Sequence, residues 1–236
     1  MKLLKSQTGR ILLESHRGAE ALAPENSWEA LKLGCEAGAD FLEVDVQISL
    51  DDVAFLQHNY GLPDGRMAST VSWDEISQTR VPRLEEVLVW AKEVQVYLSL
   101  DLKVGFSPER KLARAVLRLL DRTGTAGNVI LLGWDHVELR QIKESHPTVK
   151  TRALLRGRLV DYAGFVKVSR VDAVSLSYDI IRPADVEQVH ATGTAILLAD
   201  LWKPDFEFAR QMNVDMVSWG DPRLARKMLE QIGNNG

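Results

Sequence analysis

The chain has 236 residues, of which 45% are hydrophobic and 26% are charged, a composition typical of soluble globular proteins that excludes global disorder. Its 29 Lys and Arg residues and 33 Asp and Glu residues give a formal charge of −4, which argues against nucleic acid as a partner. The single cysteine, Cys35, excludes an internal disulfide and a cysteine zinc site, so we interpret it as a small packing residue.

The amino-terminal segment has no apolar stretch of the length found in a secretory signal. Nowhere does a run of about 18 apolar residues occur, which a membrane-spanning helix would need. The sequence therefore predicts no transmembrane segment, and we expect the protein to be cytoplasmic.

Eight short apolar runs rich in β-branched residues predict strands. They begin near residues 11, 41, 97, 128, 150, 173, 194 and 216. Amphipathic segments between them predict helices, among them 27–37, 83–93, 108–122, 134–145 and 183–191.

Eight strand-helix units in a chain of this length are the content of a (β/α)8 barrel, which typically has ~250 residues. A doubly wound open sheet is the competing architecture, but the even spacing of the later strands favours eight equivalent units. We therefore predict an α/β fold, a TIM barrel, as one domain over 1–236. The long interval between the second and third strands predicts a small insertion at about 53–80, entered by a hairpin turn at Asp51 and Asp52.

Acidic side chains lie at the ends of the second and third predicted strands, where barrel enzymes build their active sites. Glu43 and Asp45 are two residues apart, so both point to the same face of the strand. Two carboxylates held close together call for a cation, and Asp101 can supply a third oxygen ligand. A carboxylate set without cysteine or clustered histidine favours Mg²⁺ or Ca²⁺ over zinc.

Basic side chains are predicted at the same rim. His16 and His58 are candidates for a proton-transfer pair, because histidine titrates near neutral pH. Arg17 and Lys103 add two positive charges. Together with a carboxylate-bound cation, these side chains describe a site for an anionic phosphoryl group.

The same residues carry a resemblance to a known family. The chain resembles the glycerophosphodiester phosphodiesterase family over about residues 14 to 103, and more loosely as far as Pro222. The resemblance rests on these motifs, in order: His16-Arg-Gly18, Pro24-Glu-Asn-Ser27, Glu43-Val-Asp45, His58, Pro82-Arg-Leu-Glu-Glu-Val-Leu88 and Asp101-Leu-Lys103. It implies a (β/α)8 barrel with an insertion after the second strand, which uses a divalent metal to hydrolyse glycerophosphodiesters to glycerol 3-phosphate and an alcohol.

The resemblance also implies roles for individual residues. The acid and base would be His16 and His58, the metal ligands Glu43, Asp45 and Asp101, and the phosphate contacts Arg17 and Lys103. Asn26 lies in one of the motifs, and we weigh a substrate contact equally against capping of the helix that begins at Trp28. Trp134, which ends the fourth predicted strand, matches an aromatic position of the family and is expected to contact substrate.

Four departures from the family pattern stand out. Asn59 follows the second histidine where the family has Asp, and Asp101 replaces a Glu among the metal ligands. The segments 197–200 and 219–222 differ from the family near the end of the chain, so substrate contacts on that side are expected to differ. Glu14 points to the barrel interior where the family has an apolar residue, and we expect it to pair with Arg152.

Other interpretations remain open at this point. Lys103 and Asp101 could form a plain surface ion pair, and the chain could be a non-catalytic barrel that binds phosphate. Cleavage of lysophospholipids or inositol lipids is a third possibility, but no amphipathic basic segment for membrane binding is evident. The alcohol, the choice between Mg²⁺ and Ca²⁺, the route through a cyclic phosphate and the oligomeric state are left open.

Overall fold

The computed structural model describes residues 1–103 and 111–233. Eight parallel strands form a closed barrel, and a short ninth strand, β3, pairs antiparallel with β2. The barrel closes through β1 and β2, where Glu14 pairs with Phe41. The predicted TIM barrel is therefore confirmed. The strands are β1 Leu12–Ser15, β2 Phe41–Ile48, β3 Ala54–Leu56, β4 Tyr97–Leu102, β5 Val129–Gly133, β6 Lys150–Leu155, β7 Ala173–Ser177, β8 Ala195–Ala199 and β9 Met216–Trp219.

Helices alternate with the barrel strands and cover the outside of the barrel. The predicted helices agree with them to within two residues at each end, except that the predicted start at 108 lies outside the described residues. The helices are α1 Lys5–Thr8, α2 Trp28–Glu36, α3 Trp73–Ile76, α4 Leu84–Glu93, α5 Lys111–Thr123, α6 His136–Ser145, α7 Tyr162–Ser169, α8 Pro183–His190, α9 Phe206–Gln211 and α10 Pro222–Gly233. None of these helices is long and apolar enough to cross a membrane.

The core has two layers because strand side chains alternate between the faces of the sheet. Outward-facing strand residues and the helices form the larger apolar cluster. A smaller cluster fills the amino-terminal half of the barrel interior and includes Leu12, Phe41, Ile130, Leu197 and Met216. This apolar floor leaves the carboxyl ends of the strands as the place where inward-facing polar residues gather.

A buried ion pair lies inside the barrel. Arg152 Nη1 and Nη2 donate to the two carboxylate oxygens of Glu14 at 2.7 and 3.1 Å, and Ser99 Oγ donates to Glu14 at 2.5 Å. Both charged side chains are about 1% exposed. The expected pairing of Glu14 with Arg152 is confirmed, and it explains how a carboxylate is tolerated in the interior.

The insertion after β2 begins with a hairpin. β2 pairs antiparallel with β3, and Asp52 in the connecting turn has a positive φ of 66°. The segment that follows folds over a small apolar cluster of its own, built around Phe55 and Ile76. The predicted insertion is confirmed, and it carries His58 to the rim of the barrel.

Candidate active site

One cavity of about 210 Å³ opens at the carboxyl ends of the strands. All of the predicted site residues except Asn26 line it: His16, Arg17, Glu43, Asp45, His58, Asp101, Lys103 and Trp134. The register explains the convergence, because Asp45 on β2 is paired directly with Asp101 on β4. The structure therefore brings together residues that are far apart in the sequence.

The three predicted metal ligands form a compact buried group. Glu43, Asp45 and Asp101 are 4%, 2% and 6% exposed. Each offers a carboxylate oxygen that lies within 4.8 Å of those of the other two. Asp101 Oδ1 is buried and has no hydrogen-bond partner within the described ranges. An oxygen in this condition is available as a ligand.

Lys103 lies between two of these acids. Its Nζ is 2.8 Å from Asp45 Oδ1 and also donates to Asp101 Oδ2. Because the lysine side chain is only 11% exposed, the interpretation of Lys103 and Asp101 as a surface ion pair is wrong. Burial lowers the pKa of Lys103, but the two carboxylates outweigh burial and raise it overall.

The acids differ in how their charge is stabilised. Burial raises the pKa of Glu43, and the nearby charge of Asp45 raises it further. Burial also raises the pKa of Asp101, and with the charge of Asp45 it keeps that pKa raised although Lys103 lowers it. For Asp45, burial raises the pKa, but Lys103, the hydrogen bond from Asn26 and the charge of His58 together outweigh burial and lower it. Lys103, Arg17 and His16 thus leave the pKa values of Glu43 and Asp101 raised, and further positive charge would favour ionisation of all three acids.

This donor set fits a hard divalent cation. Its ligands are oxygens of Glu43, Asp45 and Asp101, which Mg²⁺ and Ca²⁺ prefer over nitrogen and sulfur. The raised pKa values of Glu43 and Asp101 also fit a cation site, because a bound cation would favour the ionised form of both carboxylates. The predicted preference for a hard cation therefore agrees with the donor chemistry.

The turn after β1 positions Glu43. Arg17 has a φ of 48°, and its backbone N–H donates to Glu43 Oε2 at 2.8 Å. Gly18 has a φ of 87° and donates to the Glu43 carbonyl at 2.9 Å. A Cβ at Gly18 would lie 3.0 Å from the Ala30 backbone, so the turn can pack against α2 only with glycine there.

The Arg17 side chain reaches back toward the acids. It forms an ion pair with Glu25, and its Nε lies 3.5 Å from Asp45 Oδ2. That Nε is buried and has no hydrogen-bond partner in the described part of the chain. Arg17 therefore keeps a donor available next to the carboxylates.

Asn26 holds Asp45 in place. Asn26 Nδ2 donates to Asp45 Oδ2 at 2.8 Å, and Asn26 Oδ1 accepts from the Asp45 backbone N–H at 2.9 Å. The interpretation of Asn26 as a helix cap is wrong, because Ser27 Oγ accepts from the Ala30 N–H and caps α2. Asn26 does not line the cavity, and its two hydrogen bonds support Asp45.

His16 lies between two acids. Its Nδ1 is 2.5 Å from Glu20 Oε1, and its Nε2 is 3.9 Å from Glu43 Oε2. Burial favours the neutral imidazole, but the hydrogen bond to Glu20 and the charge of Glu43 outweigh burial and raise the pKa of His16 to about 9. Glu20 was not among the predicted residues, because residues 16–22 form a turn and not a helix, so helical spacing gave no signal for this contact.

The raised pKa of His16 predicts a pH-dependent contribution to stability. A histidine with a pKa of about 9 when folded and 6.5 when unfolded stabilises the fold fully below pH 6.5, and this contribution is lost as the pH rises through 9. In chelator-treated protein, we therefore expect His16→Gln to lower the free energy of unfolding more at about pH 6 than at about pH 9.5. Urea titrations at both pH values measure the difference, and an equal loss at both would contradict the assignment.

His58 lines the same cavity and acts electrostatically on Asp45. Its Nδ1 is 3.2 Å from Asn59 Oδ1, the residue that departs from the family pattern. The charge of His58 contributes to the lowered pKa of Asp45. The amide of Asn59 can orient the ring by accepting a hydrogen bond, but it adds no charge beside His58.

The remaining wall of the cavity comes from the later strands. Trp134 follows β5 and is 47% exposed, with the Arg156 guanidinium carbon 5.1 Å from its ring centroid. Arg156 and Asp200 also line the cavity and were not predicted. The signal for both was present, since each lies just beyond the carboxyl end of a strand. Trp219 belongs to the segment 219–222, which differs from the family pattern. It packs against Phe206 and does not line the cavity.

Comparison with known proteins bears on the identity of this site. A model of the Glycerophosphoryl diester phosphodiesterase family matches residues 16–222. The Glycerophosphodiester phosphodiesterase of Caldanaerobacter subterraneus subsp. tengcongensis is 24% identical over 247 residues, which cover 95% of this chain and 100% of that protein. The Bacillus subtilis Uncharacterized protein YqiK is 30% identical over 163 residues, but these span only 65% of its length and 60% of this chain.

A solved structure has the same fold. An Oleispira antarctica phosphodiesterase in complex with the product sn-glycerol-3-phosphate matches with a TM-score of 0.85 at 17% identity, and the match covers 98% of this chain and 99% of that chain. The family match includes every predicted site residue from His16 to Trp134. The chain therefore belongs to the glycerophosphoryl diester phosphodiesterase family.

Proposed function

We propose that this protein hydrolyses glycerophosphodiesters to glycerol 3-phosphate and an alcohol. The observation that carries the proposal is one cavity lined by three buried carboxylates, two histidines, an arginine and a lysine. Membership of the family supports the reaction class, as does the product bound to the Oleispira antarctica relative.

Glu43, Asp45 and Asp101 would hold a divalent cation, Mg²⁺ or Ca²⁺. When bound, such a cation stabilises the negative charge that develops on the phosphoryl oxygens. Arg17 Nε, buried without a hydrogen-bond partner among the described residues, is a donor for the same oxygens. Lys103 adds charge at short range and keeps the Asp45 carboxylate ionised.

Proton transfer falls to the two histidines. Hydrolysis forms a bond from the oxygen of water to phosphorus and breaks the bond from phosphorus to the alcohol oxygen. One histidine accepts the proton that water loses, and the other donates a proton to the departing alcohol oxygen. His16 and His58 line the cavity from separate segments, the turn after β1 and the insertion.

Product release from defined substrates tests the proposal. The protein is incubated with glycerophosphocholine and glycerophosphoethanolamine, and glycerol 3-phosphate is assayed. We expect release that stops with chelator and returns when Mg²⁺ or Ca²⁺ is added back.

Two results would contradict parts of this assignment. Release that is indifferent to chelator and to added cations would remove the cation from the reaction. Saturable binding of the diesters without any release of product would favour a non-catalytic barrel. Asp45→Asn is the matched control, because Asp45 belongs to the proposed cation site and its loss should abolish release.

A further inference from the structure

Arg156 differs from the other arginine and lysine side chains that line the cavity. Within the described residues it has no carboxylate partner. Its guanidinium lies over the face of the Trp134 ring, with the guanidinium carbon 5.1 Å from the ring centroid. The others are neutralised by acidic side chains: Arg17 by Glu25, Lys103 by Asp45 and Asp101, and Arg152 by Glu14. The cation–π contact holds the Arg156 charge in one place without cancelling it.

The register places this charge above the carboxylate site. Asp101 on β4 is level with Leu132 on β5, and Leu132 is level with Arg152 on β6. Trp134 is the next inward-facing position after Leu132, which is about 6.6 Å further along the strand toward the mouth. Arg156 follows Arg152 with the same parity, and its guanidinium lies over the Trp134 ring.

The chemistry of the substrate limits what Arg156 can recognise. In a glycerophosphodiester the glycerol part is uncharged, and the phosphate is the group for which the deeper cations and carboxylates are arranged. A charged partner for Arg156 therefore has to be carried by the alcohol.

We propose that Arg156, held over Trp134, binds an anionic group on the alcohol, so that diesters of a carboxylate-bearing alcohol are preferred over diesters of the same alcohol without it. This inference rests on the proposed function and names its substrate class. It makes Arg156 a specificity residue, whereas bond cleavage depends on the groups deeper in the cavity.

Serine and ethanolamine form a matched pair of alcohols for the test, because serine is ethanolamine with an added carboxylate. Both carry an ammonium group, so any attraction to the exposed Asp200, which lines the same cavity, applies to both diesters. The ratio of kcat/KM for glycerophosphoserine to that for glycerophosphoethanolamine therefore reports on the carboxylate alone.

For the wild-type protein we expect a ratio of about twofold to fivefold in favour of the serine diester, the effect of one partly exposed ion pair. Arg156→Gln should bring the ratio close to one, and Arg156→Glu should invert it. The kcat/KM for the ethanolamine diester should stay within about twofold in Arg156→Gln, which also shows that the variant is folded.

Two control variants separate this role from a general effect of charge. Arg140→Gln removes the same charge from the exposed face of α6, where Arg140 pairs with Glu144 away from the cavity. Asp200→Asn removes a charge from the rim itself, at a φ of 56° that asparagine tolerates. Both are expected to keep the wild-type ratio, Asp200→Asn because it affects the two ammonium-bearing substrates equally.

The outcomes are distinct. A wild-type ratio near one, or a ratio that Arg156→Gln and Arg156→Glu leave unchanged, would overturn the specificity role while glycerol 3-phosphate is still released. Failure of the wild-type protein to release glycerol 3-phosphate from either diester would overturn the proposed function, and with it this inference.

Discussion

Replacement of His58 by alanine is expected to lower kcat by about 10²–10⁴-fold, the usual contribution of a general acid or base. The same loss is expected for His16→Ala, because both side chains line the cavity and, in the proposed mechanism, divide the proton transfers between them. KM should change less than kcat, since both residues act mainly in the transition state.

The double variant distinguishes a catalytic pair from two independent contacts. If the histidines act in one concerted transfer, His16→Ala with His58→Ala should cost much less than the product of the two single effects. His146→Ala is the matched control, because His146 lies at the end of α6 and outside the cavity. A His58→Ala enzyme with wild-type turnover on both substrates would remove His58 from the mechanism.

A separate measurement, the pH profile of kcat/KM, decides which histidine is the acid and which is the base. Burial lowers the pKa of His16, but Glu20 and Glu43 outweigh burial and raise it to about 9. The pH profile of kcat/KM reports the pKa values of the essential acid and base of the free enzyme. It should have an acidic limb and a basic limb, and each single variant should remove one of the two. The limb that disappears identifies which histidine must be protonated.

The fold was predictable because it depends on local pattern. Each barrel strand is a short apolar run, and the parity of Glu43 and Asp45 follows from the two-residue repeat of a strand. The insertion was predictable from length, since no single helix fills that interval. Even the pairing of Glu14 with Arg152 could be expected, because a buried carboxylate requires a partner.

The parts that were missed depend on tertiary contacts. Asn26 and Ser27 are adjacent and both are good helix caps, so only the observed bonds show that Ser27 caps α2 while Asn26 holds Asp45. The position of Arg156 just beyond β6 signals a place at the rim, but only the structure shows that the other arginine and lysine side chains of the cavity are paired with acids. Glu20 likewise gains significance only from the turn that returns it to His16.

Asp101 is the predicted metal ligand at which this chain departs from the family pattern. Its replacement is expected to have a large effect on cation affinity. Asp101→Asn keeps the volume of the side chain but removes one negative charge from a three-carboxylate site. Since ligand charge is a main determinant of affinity for hard cations, we expect the affinity for Mg²⁺ or Ca²⁺ to fall by at least about tenfold. Calorimetric titration of the metal alone measures this directly.

Two further variants make the titration specific. Asp101→Glu should bind the cation as well as or better than the wild type, because it keeps the charge and restores the longer side chain found in the family. Asp200→Asn removes an exposed carboxylate from the same cavity but outside the buried triad, so its affinity should stay at the wild-type value.

Equal affinities for Asp101 and its asparagine variant would mean that Asp101 is not a ligand. Its hydrogen bond from Lys103 would then be its whole role, and a cation would depend on Glu43, Asp45 and oxygens of water or substrate. The buried Oδ1, which has no hydrogen-bond partner within residues 1–103 and 111–233, argues for the ligand. A carboxylate serving only as the partner of Lys103 would gain nothing from keeping one oxygen desolvated and unbonded.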